Sequence, residues 1–321
     1  MTLVPRVLVL AGGLSHERDV SLRSGRRVAE ALRDAGCQVS ERDVDASLLP
    51  TLAAGEVDVV WPLLHGASGE DGSVRDVLDL VGVPYVGSRP APCRTAWDKP
   101  VAASVARAAG LSTPESVALP HGTFRELGAQ RVLEAVVERM GLPLVVKPAR
   151  GGSALGVSVV REVADLPRAM VECFAYGDVA LVEHCVEGVE VAVSVLDTGA
   201  GPQALPAVEI VADGGVYDYD ARYVAGATEF FCPARLTDDT RDAVAQAALA
   251  AHSAFGLRHL SRTDLIVDHS GRPWFLEVNV APGMTETSLL PQSVAAAGED
   301  PGPLYRRLVE AAATGDLVSP S

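Results

Sequence analysis

The sequence predicts an α/β protein of two or three domains that opens on a parallel sheet. Three observations carry this reading. The 321 residues exceed what one hydrophobic core usually spans. Strand and helix patterns alternate up to about residue 88. A 48% hydrophobic, 21% charged composition is that of a globular chain able to bury a large core.

The elements follow in order. Val7-Leu8-Val9-Leu10 is a buried-strand run leading to Gly12-Gly13. The next helix takes Ser21 as its N-cap, carries Val28, Ala29 and Leu32 on one face, and stops at Gly36. Val57–Trp61 reads as a strand running on to His65-Gly66. Val74, Val77, Leu78 and Val81 fall at i, i+3, i+4, i+7, one helical face, and Val83–Val86 is a short strand. Such alternation implies a sheet covered on both faces, with ligands gathering at the carboxyl ends of its strands. Gly12-Gly13 and His65 sit just past such ends. A second segment starts near Ser88, with a helix over Lys99–Ala109, a strand over Leu144–Lys147, a glycine-rich stretch to Gly156, a helix over Leu166–Tyr176 and a strand over Val179–Glu183. A third has strands at Val189–Leu196 and Leu205–Val211, a polar aromatic loop over Tyr217–Tyr223, an alanine-rich helix over Asp238–Phe255, a hairpin and a terminal helix over Pro303–Ala313. Leu317–Ser321 is expected to be a loose end.

Charge and cysteine usage narrow the function. A net charge of −15 argues against nucleic acid or an anionic membrane as partner, while leaving small anions open. Cys37, Cys93, Cys173, Cys185 and Cys232 include no C-x-x-C pair, which argues against zinc and a disulfide framework and for a reducing cytoplasm. Pro5-Arg6 interrupts the apolar start, so no signal peptide is expected, and no stretch is long and apolar enough to cross a bilayer.

The most informative stretch is Arg262–Asn279, two strands joined at Ser270-Gly271. That turn places Asp264 opposite Glu277, where Cβ atoms lie about 4.5–5.5 Å apart and like charges repel. Asn279 shares their face. Two carboxylates and an amide oxygen make a site for a hard cation, and magnesium with substrate phosphates fits best. The alternative is a solvated face with scattered acids. It is weakened because Leu265, Val267, Leu276 and Val278 form an apolar opposite face, while Ile266 and Phe275 share the acidic one. Lys147 before Gly151-Gly152-Ser153-Ala154-Leu155-Gly156 suits phosphate, although a flexible tip reads equally well from the glycines alone. Glu17 could hold an ammonium or merely start a helix. His65 alone is more often structural than catalytic. The run from Pro282 through Gly283 to Ser288 and Leu289 could offer backbone N–H groups to an anion.

Taken together and in order, these motifs resemble the D-alanine–D-alanine ligase family of the ATP-grasp superfamily. The carrying stretches are Gly12–Ser21, His65-Gly66 with Gly69–Gly72, Asp98-Lys99, Lys147-Pro148, Gly152-Ser153, Tyr217–Tyr223, Phe231–Ala234, Arg262–Asp264 and Glu277–Thr285 with Ser288-Leu289. The resemblance implies a three-domain ATP-grasp fold: an N-terminal α/β substrate domain (residues 1–88), a central subdomain (89–183) and a C-terminal subdomain with metal site and lid loop (184–321). It assigns Lys99, Lys147 and Arg222 to the phosphates of ATP, and Glu183 and Glu190 to its adenosine. Asp264, Glu277 and Asn279 would take two Mg²⁺ ions, or Mn²⁺ in their place. Glu17 would bind the first D-alanine with His65 nearby, and Ser153 and Tyr223 would bond with Glu17 and close the lid. Arg262 and the Gly283 amide would stabilise an oxyanion, and Ser288 and Leu289 would hold the second D-alanine. The implied product is D-alanyl-D-alanine for peptidoglycan precursors, made by a cytoplasmic homodimer without nucleic-acid or membrane partners. Arg222, Ala154, His184 and Cys185 depart from the residues usual in the family. The rivals are a ligase using D-lactate or D-serine, a carboxylate–amine ligase of secondary metabolism, and a binding-only paralogue.

Overall fold

The computed structural model describes residues 4–212 and 228–315. Three sheets organise them. Strands β1 (Arg6–Leu10), β2 (Gln38–Arg42) and β3 (Val59–Pro62) form a parallel sheet in the order β2-β1-β3. Val7, Leu8, Val9 and Leu10 are all buried, as a parallel strand covered on both faces requires. On one face lies helix Arg18–Asp34, which packs Val28, Ala29 and Leu32 into the same core as Leu304, Tyr305 and Leu308 of helix Pro301–Thr314. The last helix of the chain thus returns to its first sheet. Leu48, Leu52, Leu78 and Tyr85 cover the other face.

Three expectations for this region need correction. The first helix begins at Arg18, and Ser21 lies inside it rather than capping it. The Ser21 hydroxyl is fully buried and serves loops on the neighbouring strands instead of its own helix end. On helix Ser73–Val81 the periodic face is shifted: Val81 is 42% exposed, whereas Arg75 is 1% exposed, because the guanidinium reaches in to the Gly69 carbonyl. The segment at Val83–Val86 makes a single bridge, Val60 to Tyr85, rather than a strand.

The second sheet is antiparallel, in the order β4-β7-β5-β6, with β4 Ser116–Pro120, β5 Leu144–Pro148, β6 Ser158–Val160 and β7 Val179–His184. Its two faces follow the period of two. Leu144, Val146 and Val182 meet Leu166, Met170 and Cys173 of helix Leu166–Phe174 in a core. Val145, Lys147 and Glu183 face a cleft instead.

The third sheet contains β8 (Gly188–Leu196), β9 (Gln203–Ala204), β10 (Val208–Ala212), β11 (Thr228–Phe231), β12 (Leu260–Asp268) and β13 (Pro273–Asn279). The order is β11-β10-β8-β12-β13, with β9 also beside β8. Helix Asp238–Ala254, N-capped by Thr237, covers its apolar face with Val244, Ala247, Ala248 and Ala251.

The β12–β13 hairpin pairs Asp264 with Glu277, Thr263 with Val278 and Arg262 with Asn279, the pairs the sequence predicts, although beside the turn Val267 pairs with Pro273 where a Ser270-Gly271 turn would set it against Trp274. Beyond Asp264 the register shifts, and Leu265 pairs with Phe275 and Ile266 with Trp274. This bulge corrects the predicted faces. An extra residue on β13 inverts the alternation past it, so Phe275 packs in the core with Leu265 and Val267, while Leu276 joins Ile266 on the cleft side.

Candidate active site

A cleft of about 680 Å³ opens between the second and third sheets, with Lys99, Lys147, Glu183, Glu190, Asp264 and Glu277 in its walls. A smaller cavity of about 130 Å³ adjoins it and contains Glu17, His65, Arg262, Gly283, Ser288 and Leu289. Lys99, Gly151, Gly152 and Glu277 line both and form the shared wall. The larger volume is in the range of pockets for nucleotide-sized ligands, and the smaller admits only a small molecule.

Two lysines enter the cleft, and Arg161 and Arg235 line it as well. Lys147 projects from β5 and places Nζ 2.6 Å from Glu183 Oε2 on the adjacent strand β7. Lys99 opens helix Lys99–Ala108 behind the Asp98 cap. Its Nζ donates to the Gly151 carbonyl at 2.7 Å and lies 3.3 Å from Glu277 Oε2. Glu190 stands on β8 between Ile210 and Ile266. His184, Cys185 and Val186 continue the wall, and burial pushes the Cys185 thiol pKa up.

The glycine-rich stretch forms the shared wall through unusual backbone angles. Gly151 has φ 145°, and Ser153 and Ala154 stand at 53° and 54°, a left-handed conformation that costs a side-chain-bearing residue about 1–2 kcal/mol. That turn points the buried Ser153 hydroxyl at Glu17, to which it donates a hydrogen bond. Gly152 also approaches closely, since a Cβ there would lie 3.4 Å from Glu17 Oε2. Glu17 itself sits at the N-cap position of helix Arg18–Asp34 but makes no capping bond. Its position at the helix start fits the dipole reading, while its side chain takes the Ser153 hydrogen bond.

The hairpin brings its oxygen donors together. Arg262 grips Asp264 through two bonds of 2.6 and 2.7 Å, with both residues buried. Asn279 accepts the Ala281 N–H at 2.8 Å through Oδ1, and an amide oxygen retains a second lone pair. Among the described residues no group of three or more His, Cys, Asp or Glu assembles. The set is two carboxylates and an amide, which is too few for a protein-only cage. It suits magnesium, which binds through one or two carboxylates and takes its remaining ligands from phosphates and water.

In the smaller cavity, burial pushes the His65 pKa down against the pull of Glu17 and keeps the ring neutral. Ser288 Oγ accepts the Thr285 N–H at 3.0 Å and lies 2.8 Å from Thr285 Oγ1. Leu289 begins helix Leu289–Ala296 and is buried. Arg222, Tyr223 and the rest of the predicted Tyr217–Tyr223 loop lie outside the described residues.

Two residues of this region received no role from the sequence. Glu70 is buried in the cavity wall and accepts the Gly66 N–H at 2.9 Å, and burial together with Glu17 pushes its pKa up to about 8. Its signal was an acid inside Gly69–Gly72, close after His65. Ser24 carries no chemical signal beyond its spacing from Ser21. As a whole, the arrangement can hold a polyphosphate beside a hard cation and present it to a small polar substrate in the adjoining cavity.

Two family models and several known proteins match this chain. The family model described as D-ala D-ala ligase C-terminus matches residues 105–310, and that described as D-ala D-ala ligase N-terminus matches residues 46–88. A D-alanine–D-alanine ligase of Bordetella petrii is 41% identical over 96% of this chain and 92% of its own length. One from Pelotomaculum thermopropionicum is 38% identical over 97% of each. Among crystal structures, the VanG D-Ala:D-Ser ligase of Enterococcus faecalis superposes with a TM-score of 0.82 at 26% identity, covering 98% of this chain and all of that one. D-alanine–D-alanine ligase of Bacillus anthracis complexed with ATP gives 0.78 at 27% identity, covering 98% of each.

Proposed function

The chain belongs to the D-alanine–D-alanine ligase family, and from that premise we propose that it joins two D-alanine molecules at the expense of ATP, releasing ADP and phosphate. The observation that carries this reading is the shared wall of Lys99, Gly151, Gly152 and Glu277, which sets a small cavity holding Glu17 directly against a nucleotide-sized cleft.

Lys147, Lys99 and Arg222 bind the phosphates of ATP, and Glu183 and Glu190 its adenosine. Glu17, steadied by the Ser153 hydroxyl, holds the ammonium of the first D-alanine, with His65 beside it and Tyr223 closing over it. Asp264, Glu277 and Asn279 would hold two magnesium ions, or manganese in their place, which would neutralise charge on the transferring phosphoryl group. The carboxylate of the first D-alanine attacks the γ-phosphorus and ADP leaves, giving an acyl phosphate. Ser288 and Leu289 seat the second D-alanine, whose amine attacks the acyl carbon. Arg262 and the Gly283 N–H stabilise the tetrahedral oxyanion until phosphate leaves. Exclusion of water protects the acyl phosphate from hydrolysis.

We assign residues 1–88, 89–183 and 184–321 to substrate, central and C-terminal units, the last helix returning to the first sheet. We further place the enzyme in the cytoplasm as a homodimer supplying dipeptide for peptidoglycan. A charge of −15 speaks against nucleic acid and anionic membrane as partners. Among the described residues no helix is long and apolar enough to cross a membrane.

Phosphate release with ATP, Mg²⁺ and D-alanine, against L-alanine and no amino acid, with mass detection of product, tests the reading. D-alanine-dependent phosphate and a D-Ala-D-Ala mass are expected. The likeness to a D-Ala:D-Ser ligase makes D-serine, alongside D-lactate, the competitor to include. A mixed product exceeding the dipeptide would overturn the assignment of the second substrate.

A further inference from the structure

Helix Arg18–Asp34 lies so close to the first sheet that a Cβ on Gly25 would stand 2.5 Å from the Ala11 Cβ. This approach presses two serines, one helical turn apart, into the interior, both with no exposed surface. Ser21 accepts the Gly12 N–H at 2.8 Å and donates to the Leu63 carbonyl at 2.6 Å, tying the loops after β1 and β3. Ser24 reaches the far end of the sequence: its Oγ accepts the Met284 N–H at 3.0 Å. The Thr285 N–H is taken by Ser288 Oγ. Both amides that follow Gly283 are therefore pinned. Among the described residues the Gly283 N–H donates to none, while Gly283 lines the small cavity.

The helix Arg18–Asp34, with Glu17 at its N-cap position, thus holds both ends of the reaction path. Its N-cap residue presents the carboxylate for the first substrate, and Ser24, about two turns on, fixes the loop that carries the oxyanion donor. We infer that Ser24 is a positioning residue that keeps the Gly283 amide in register with Glu17. The inference rests on the proposed ligase activity and extends it. Ser24 touches no substrate. It acts through Met284, and its loss weakens the amine-attack step selectively. The acyl phosphate then persists, and water attacks its phosphorus, a route that forms no acyl oxyanion: the new bond is water O–P, the P–O bond to the acyl oxygen breaks, and D-alanine and phosphate are released without dipeptide.

The readout is dipeptide formed per phosphate released, with wild-type enzyme, Ser24→Ala and Val309→Ala measured together. Val309 is fully buried in the same core, and its truncation reports destabilisation alone. Displacing rather than deleting an oxyanion donor should lower dipeptide turnover by about tenfold, below the roughly 100-fold or more of outright removal. For Ser24→Ala the dipeptide-to-phosphate ratio should fall severalfold, with KM for ATP within about twofold of wild type. Val309→Ala should lower the melting temperature and leave the ratio unchanged. Should Ser24→Ala not purify folded, Ser24→Cys keeps the shape with a weaker acceptor, and the ratio should fall again. An unchanged ratio in the folded Ser24 variant, or an equal fall in Val309→Ala, overturns the inference. Wild-type protein that makes no dipeptide at all sinks the ligase reading itself and this inference with it.

Discussion

Replacing Glu70 by glutamine isolates the cost of holding an acid against Glu17 in a dry wall. The glutamine oxygen can still accept the Gly66 N–H that Glu70 accepts at 2.9 Å, so the loop after His65 keeps its tie. What changes is the charge. Burial first, then Glu17 and Glu277, raise the Glu70 pKa from 4.5 to about 8. Below about pH 4.5 folded and unfolded chains both keep the proton, and the acid costs nothing. Between about 4.5 and 8 the unfolded chain releases the proton and the folded one retains it, so this group makes stability fall as pH rises. Above about 8 the difference is constant. At about 1.4 kcal/mol per pH unit the ceiling is near 5 kcal/mol. Urea unfolding of wild type and Glu70→Gln in magnesium-free buffer, followed by tryptophan fluorescence at pH 5, 7 and 9, measures it. The variant should gain on wild type by up to about 2–3 kcal/mol between pH 5 and 7, and by more at pH 9. Parallel stabilities across that range would refute the argument, because they would mean that Glu70 ionises in the folded protein as it does in the unfolded one.

Lys147→Met leaves Glu183 buried without the partner now 2.6 Å away. It should cost about 3–5 kcal/mol of stability and raise KM for ATP in the phosphate-release assay, with KM for D-alanine little changed. Ser153→Ala removes the bond to Glu17. It should raise KM for the first D-alanine about tenfold, the worth of one charge-assisted hydrogen bond of about 1.5 kcal/mol, while nucleotide protection against thermal unfolding is retained. Asp264→Asn leaves the buried Arg262 without its carboxylate and should lower turnover by at least about 100-fold. Full turnover at saturating Mg²⁺ would remove Asp264 from the metal site.

How far the sequence could be read depended on whether a residue's job is local. The Val7–Leu10 run announced a two-sided strand, and Ser270-Gly271 announced a hairpin; its pairing of Asp264 with Glu277 holds only because the bulge offsets a one-residue error at the turn. Both are decided by neighbours in sequence, through side-chain period and turn chemistry. The bulge beyond Asp264 was invisible because Phe275 and Leu276 are both apolar, and alternation cannot say which faces the core. Helix Asp238–Ala254 decides it, filling the core with alanines against which Phe275 packs. Arg75 and Val81 show the same limit, since a buried guanidinium is legible only once the Gly69 carbonyl is seen to receive it. Ser21 and Ser24 show it most fully. At the start of a helix, serine predicts a cap; here the two hydroxyls bind loops 9 and 260 positions away. Asp264 and Glu277 stood out in the sequence because chemistry restricts which residues could hold a cation, whereas Glu70, an acid of the same site, did not. The residues that aim the acids of the site were not legible either, because any small hydroxyl on the buried face of that helix reads alike until the chain's far end is folded against it. For the same reason, substitutions that spare every acid and cation of the site can still uncouple it, and the hydroxyl of Ser24 is where that should be looked for first.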